Sequence, residues 1–175
     1  MMEQPLSITN VLRFANHDFV NHLHLIRMNL DLGNVEEAKK IIFNISEEYR
    51  QFSNMNQLHL PKTIEWLLTS RWRFPALQIS IDSNVEKRVN ADVDEALVQY
   101  LENTVIHVYD ELDPFTEQNL NVKIQSDENK FKLEFNLQGL WNIGEFQQNE
   151  GKNLDVQTIE ETNTSWIYVL SMIQE

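Results

Sequence analysis

Between Leu6 and Leu32, apolar residues return every three or four positions. Val11, Leu12, Ala15, Phe19, Leu23, Ile26 and Leu30 fall on one side of a helix at ~100° per residue. Gly33-Asn34 interrupts the run, and a second helical period follows with Val35, Ala38, Ile41, Ile42, Ile45, Tyr49 and Phe52 on one side. Glycine tolerates the left-handed conformation that ends a helix, while Asn34 and Glu37 form a capping-box-like start for the next one. So short a connection forces the two helices to run antiparallel as neighbours. Two helices alone leave part of these stripes wet. The stripes pack either on a second copy, giving a dimeric four-helix bundle, or on the chain's own C-terminal half, and the homodimer is the expected solution.

Pro61, after Leu58-His59-Leu60, marks the boundary between a helical hairpin over 1–60 and a small α/β domain over 61–175. The chain as a whole therefore reads as α+β. Thr63 to Phe74 predicts a short helix broken by Pro75, and Leu77 to Ile81 alternates with the period of a strand. Asp92 to Leu112 predicts a long helix ended by Asp113-Pro114. Asn121–Gln125 and Phe131–Leu137 flank a hairpin signal, and Trp166–Met172 predicts a final strand. The polar stretch 141–164 predicts little structure.

Composition narrows the function classes. Cysteine is absent, which removes disulfides, thiolate metal sites and cysteine nucleophiles. The net charge of −13, with no basic run, makes nucleic acid and anionic membranes poor partners. The start, Met1 to Pro5, lacks the features of a signal peptide, and no apolar run approaches the ~20 residues needed to cross a bilayer. The expected location is cytoplasmic.

A polar cluster, Asn16-His17-Asp18-Phe19-Val20-Asn21, lies on the first helix. His17 lies roughly 160° from the centre of the apolar stripe and therefore points to water. Arg13, Asn21, His24 and Met28 share its face, and Asn21 sits one helical turn below it. Phosphoryl transfer through histidine needs a neutral ring nitrogen with a free lone pair, and exposed imidazoles ordinarily titrate at ~6.5. The adjacent acid, Asp18, can accept the proton of the other ring nitrogen and stabilise the ring as charge develops. An amide at i+4 can orient a water or a phosphoryl oxygen. Arg13, His24 and Met28 read as partner contacts. His22 lies nearer the apolar stripe and reads as packing or interface, and His59 and His107 as structural. A metal site is a poor fit, because His17 and His24 are too far apart and Asp18 with His22 supplies only two ligands.

The run Asn16 to Ile26, followed by Asn29-Leu30-Asp31-Leu32-Gly33 and Glu36-Glu37-Ala38, resembles the histidine-bearing hairpin of the sporulation initiation phosphotransferase B family. It is also similar to the phosphotransfer helices of citrate-type sensor kinases. The resemblance implies a dimeric four-helix bundle joined to a domain derived from a histidine-kinase ATPase fold. It further implies a relay from the phosphoaspartate of one response-regulator receiver domain to histidine and on to another aspartate. His17 would be the phosphorylated residue, with Asp18 and Asn21 as its supports.

A kinase of this lineage also carries glycine-rich loops that let backbone approach phosphate. This chain has only four glycines, none in a D-x-G-x-G or G-x-G segment. Gln138-Gly139 stands where an acid-and-glycine loop would be expected, and Asn103 reads as an ordinary helix residue. The expectation is therefore a phosphotransferase that binds no cofactor of its own, takes no phosphate directly from ATP, and relies on Mg2+ held by the partner regulator. The alternatives are an ATP-dependent sensor kinase core and a non-catalytic dimeric adaptor.

Overall fold

The structure is a computed structural model, and it describes residues 6–142, 146 and 154–173. The chain forms two compact units, Met1–Arg50 and Gln51–Glu175.

In the first unit, helix α1 spans Ile8–Asp31, and Ser7 caps it by accepting from the Asn10 amide at 3.2 Å. Gly33 at φ 80° makes the turn, and helix α2 begins at Val35 and runs to Met55. The single stripe expected on each helix separates into two. Val11, Ala15 and Ile26 on α1 are half-buried, as are Ile41 and Ile45 on α2, while Ala38 is buried. By contrast, Leu12, Phe19, Leu23 and Leu30, with Val35, Ile42 and Tyr49, remain exposed. One seam therefore closes within the chain and a second apolar surface stays open. The division follows from the geometry of a pair, since each helix can turn only part of a wide stripe toward a single neighbour.

The second unit starts before Pro61. Met55, Leu58 and Leu60 are fully buried in its core. The Gln51 and Asn54 side chains accept from the backbone of Ser83 and Val85 at 2.7 and 2.8 Å. Those contacts tie residues 51–60 to the second unit, whereas the sequence reading placed the boundary at residue 61.

Helix α3 (Pro61–Arg73), strand β1 (Gln78–Val85), helix α4 (Asp94–Tyr109) and strands β2 (Asn119–Ser126) and β3 (Lys130–Gln138) follow, then β4 (Asp155–Glu161) and β5 (Ser165–Ile173). The strands form one sheet in the order β1-β2-β3-β5-β4, parallel between β1 and β2 and antiparallel elsewhere. Alternate residues of β2, β3 and β5 (Leu120, Val122, Phe131, Phe135, Trp166, Tyr168) are buried with Trp66 and Leu67 of α3 and Leu97, Leu101 and Val105 of α4. The two helices are clasped by Glu102, which accepts from the Trp66 indole and pairs with Arg73.

Within 141–164 the structure differs from the sequence reading, because β4 occupies Asp155–Glu161. Residues 143–145 and 147–153 lie outside the described residues. β4 has only β5 as a neighbour and exposes nearly every side chain, so it needs no apolar alternation, and a register irregularity between Thr158 and Glu160 further obscures its period.

The core holds a pH-sensitive component. Burial, with the Glu161 charge adding to it, pushes the Tyr100 hydroxyl up to about 12, and burial pushes Tyr168 well above the ordinary value. The unfolded chain releases these protons near pH 10 while the fold keeps them. The Tyr100 contribution is therefore fully present below pH ~10 and lost as pH rises through about 12. Urea titrations should show stability falling by ~1.4 kcal/mol per pH unit for each such group in that window. Tyr100→Phe should remove one group's share of the slope, and an identical slope in that variant would contradict this assignment.

Candidate active site

α1 places His17 on an exposed face, with its side chain 71% accessible, and holds Asp18 half-buried at 34%. Neighbouring positions on a helix point about 100° apart, so a residue beside an exposed histidine can reach the closed seam while its carboxylate still meets the ring. Asp18 Oδ1 stands 3.5 Å from His17 Nδ1, and Asn21 Nδ2 stands 3.2 Å from the same nitrogen. The three side chains named from the sequence thus meet at one ring atom, while Nε2 makes none of these contacts. Arg13, His24 and Met28 are also exposed on α1. Arg13 lies over the Phe14 ring at 5.2 Å. His22 is half-buried, with its Nδ1 out of contact with water. Among the described residues no three His, Cys, Asp or Glu side chains cluster as a metal site would require.

Gly139, the glycine nearest to where a phosphate loop would stand, packs against the Gln118 side chain so closely that a Cβ would collide with it. The Gln118 amide donates to Asp113 O and Leu140 O at 2.9 and 3.2 Å and accepts from Leu140 N at 3.1 Å. The open backbone of Gly139 thus admits a side chain of the protein itself. Beside α4, the rings of Tyr100, His107, Phe146, Trp166 and Tyr168 contact one another with centroids 4.8 to 6.2 Å apart. Asn103 faces solvent. Among the described residues no glycine cradle offers amides to phosphate, and aromatic side chains pack beside α4. Sequence reasoning missed Gln118 and the aromatic cluster. The small residue at 139 was the available signal, but its partner lies elsewhere in the chain.

An exposed histidine flanked by an acid and an amide thus stands on the helical hairpin. Residues 2–58 match the family described as Sensor_kinase_SpoOB-type, alpha-helical domain, in agreement with the resemblance drawn from the His17 motif. The matched residues span α1 and α2. No curated protein matches the chain by sequence.

Solved structures similar to the chain include the catalytic domain of histidine kinase ThkA, at 11% identity over 69% of this chain and 95% of that one (TM-score 0.43). Another is ThkA in complex with response regulator protein TrrA, at 11% identity over 94% of this chain and 61% of that one (TM-score 0.45). A third is the Acinetobacter baumannii histidine kinase AdeS, at 9% identity over 91% of this chain and 98% of that one (TM-score 0.44). At identities this low the likeness concerns the fold alone. No helix among the described residues is long and apolar enough to cross a membrane.

Proposed function

We propose that this protein is a phosphorelay phosphotransferase that moves a phosphoryl group between the aspartates of response-regulator receiver domains through His17, without taking it from ATP. The observation that carries the reading is an exposed imidazole with the Asp18 carboxylate at Nδ1 and Nε2 left for a partner. In the proposed step the Nε2 lone pair attacks the phosphorus of a receiver phosphoaspartate. An N–P bond forms, the acyl P–O bond breaks, and the aspartate leaves as a carboxylate. Asp18 holds the proton on Nδ1 and stabilises the cationic ring. Transfer to a second receiver is the same step reversed. A rigid helix suits this chemistry because in-line transfer depends mostly on positioning. The Mg2+ ion belongs to the receiver's acidic pocket, and Arg13, His24 and Met28 contact the receiver around His17.

The test supplies two receiver domains, one phosphorylated. Phosphate should appear on the second only when this protein is present. Equal transfer in its absence would reject the reading.

The active unit in this proposal is a homodimer. Leu12, Phe19, Leu23 and Leu30 on α1 and Val35, Ile42 and Tyr49 on α2 are exposed, and a second hairpin would cover them. Leu23→Asp, which puts a charge into that surface, should convert the dimer to monomer in sedimentation without loss of helix signal. An unchanged sedimentation coefficient in Leu23→Asp would contradict the assignment of this face.

A further inference from the structure

We infer that Asn21 is a positioning residue that holds His17 at rest in the tautomer with the proton on Nε2, and so acts as a brake on phosphoryl acceptance. The inference rests on the reading of His17 as the acceptor. Its basis is that two side chains of opposite character address one atom. Asp18 Oδ1 lies 3.5 Å from Nδ1 and Asn21 Nδ2 lies 3.2 Å from it. A ring nitrogen has one in-plane valence beyond the ring, occupied by a proton or by a lone pair. The ionised Asp18 only accepts, so it needs Nδ1–H. The Asn21 NH₂ only donates, so it needs the lone pair. With the Asn21 amide in this orientation, one neutral ring cannot satisfy both.

In this arrangement the Asn21 contact is the shorter of the two. At 3.2 Å the Asn21 contact lies within the normal range for a nitrogen donor, whereas 3.5 Å is at its outer limit. With the lone pair on Nδ1, a neutral imidazole carries its proton on Nε2. Before Nε2 can attack phosphorus, that proton must pass to solvent and Nδ1 must take one up. The exchange conserves protons and hands Nδ1 from Asn21 to Asp18. Asp18 therefore favours the reactive tautomer and Asn21 opposes it. Both are set by the pitch of α1, one neighbour and one turn away, so the bias exists before any partner arrives. A receiver that engages the Asn21 amide would release the brake on docking.

The test is a ring ¹⁵N–¹H correlation spectrum of His17 in the intact protein, at a pH well above the ordinary imidazole value of ~6.5. Wild type should show mainly the Nε2–H pattern. Asn21→Ala should shift the ratio toward Nδ1–H by about fivefold, the effect of losing one neutral hydrogen bond. The initial rate of phosphate uptake from a phosphorylated receiver should rise by a similar factor. A wild-type ring already in the Nδ1–H form, or a ratio unmoved by Asn21→Ala, would overturn the inference. Uptake that stays level or falls while the tautomer shifts would overturn the brake. No uptake by any protein, wild type included, alongside the tautomer shift would count against the acceptor reading and leave tautomer control standing.

Discussion

Replacing His17 with alanine is expected to abolish phosphate capture from a phosphorylated receiver while leaving the fold intact. The chemical reason is simple: the proposed N–P bond has no other atom on which to form. His24 shares the exposed helix and lacks an acid at the next position, so it offers no substitute. The structural cost is small because His17 is largely in water, where substitutions away from buried features change stability by ~0.5 kcal/mol or less, and alanine is the better helix former. Asp18→Asn should leave residual transfer, reduced by about 10²–10⁴, since an amide cannot hold a developing imidazolium as a carboxylate does. Acid-labile label on the protein, followed with time, separates the variants. Equal label on wild type and His17→Ala would remove His17 from the mechanism.

The largest expected loss of stability comes from a residue far from that site. α3 opens with Pro61, which has no N–H, and Ile64 N reaches Leu60 O at 2.9 Å. The remaining first-turn donors, Lys62 and Thr63, have no local cap. Asp94, the first residue of α4, supplies one. Its Oδ2 accepts from Lys62 N at 2.9 Å, and its Oδ1 accepts from Thr63 N at 2.8 Å and from the Thr63 hydroxyl at 2.7 Å. Asp94 is buried, and its carboxylate stands near the N-termini of both helices, where negative charge is favoured. Asp94→Ala removes three charge-assisted bonds and strands buried donors. It should cost ~3–5 kcal/mol, or roughly 10–15 °C of melting temperature. Asp94→Asn retains an acceptor and should cost less. Asp82→Ala, at an exposed position on β1, should change stability by no more than ~0.5 kcal/mol. A melting temperature for Asp94→Ala indistinguishable from that of Asp82→Ala would disprove this role.

The hairpin was legible in the sequence because its signals are local. Helical period, the Gly33 turn and the outward direction of His17 all follow from residues within a few turns of one another. The α+β order and the alternating β2 and β3 were legible for the same reason: each buries one face, and the pattern records it, while β5 reads as an apolar run buried on both faces. β4 was not legible, because a solvated edge strand has no burial pattern to show. Nor was the capping of α3, since Thr63 and Asp94 are far apart in the chain and neither announces the other. The same holds for Gly139 against Gln118. At the candidate site, sequence placed Asp18 and Asn21 beside His17. That both address Nδ1 needed rotamers, which residue spacing does not fix.

The measurement closest to the central claim compares two phosphate sources for one protein. Wild type and His17→Ala are each incubated with a ³²P-labelled receiver domain and, separately, with γ-³²P ATP and Mg2+. Label should pass from a receiver to wild type alone and be released by acid, with none arriving from ATP. Label taken from ATP in the absence of any receiver, or label on His17→Ala, would contradict the account.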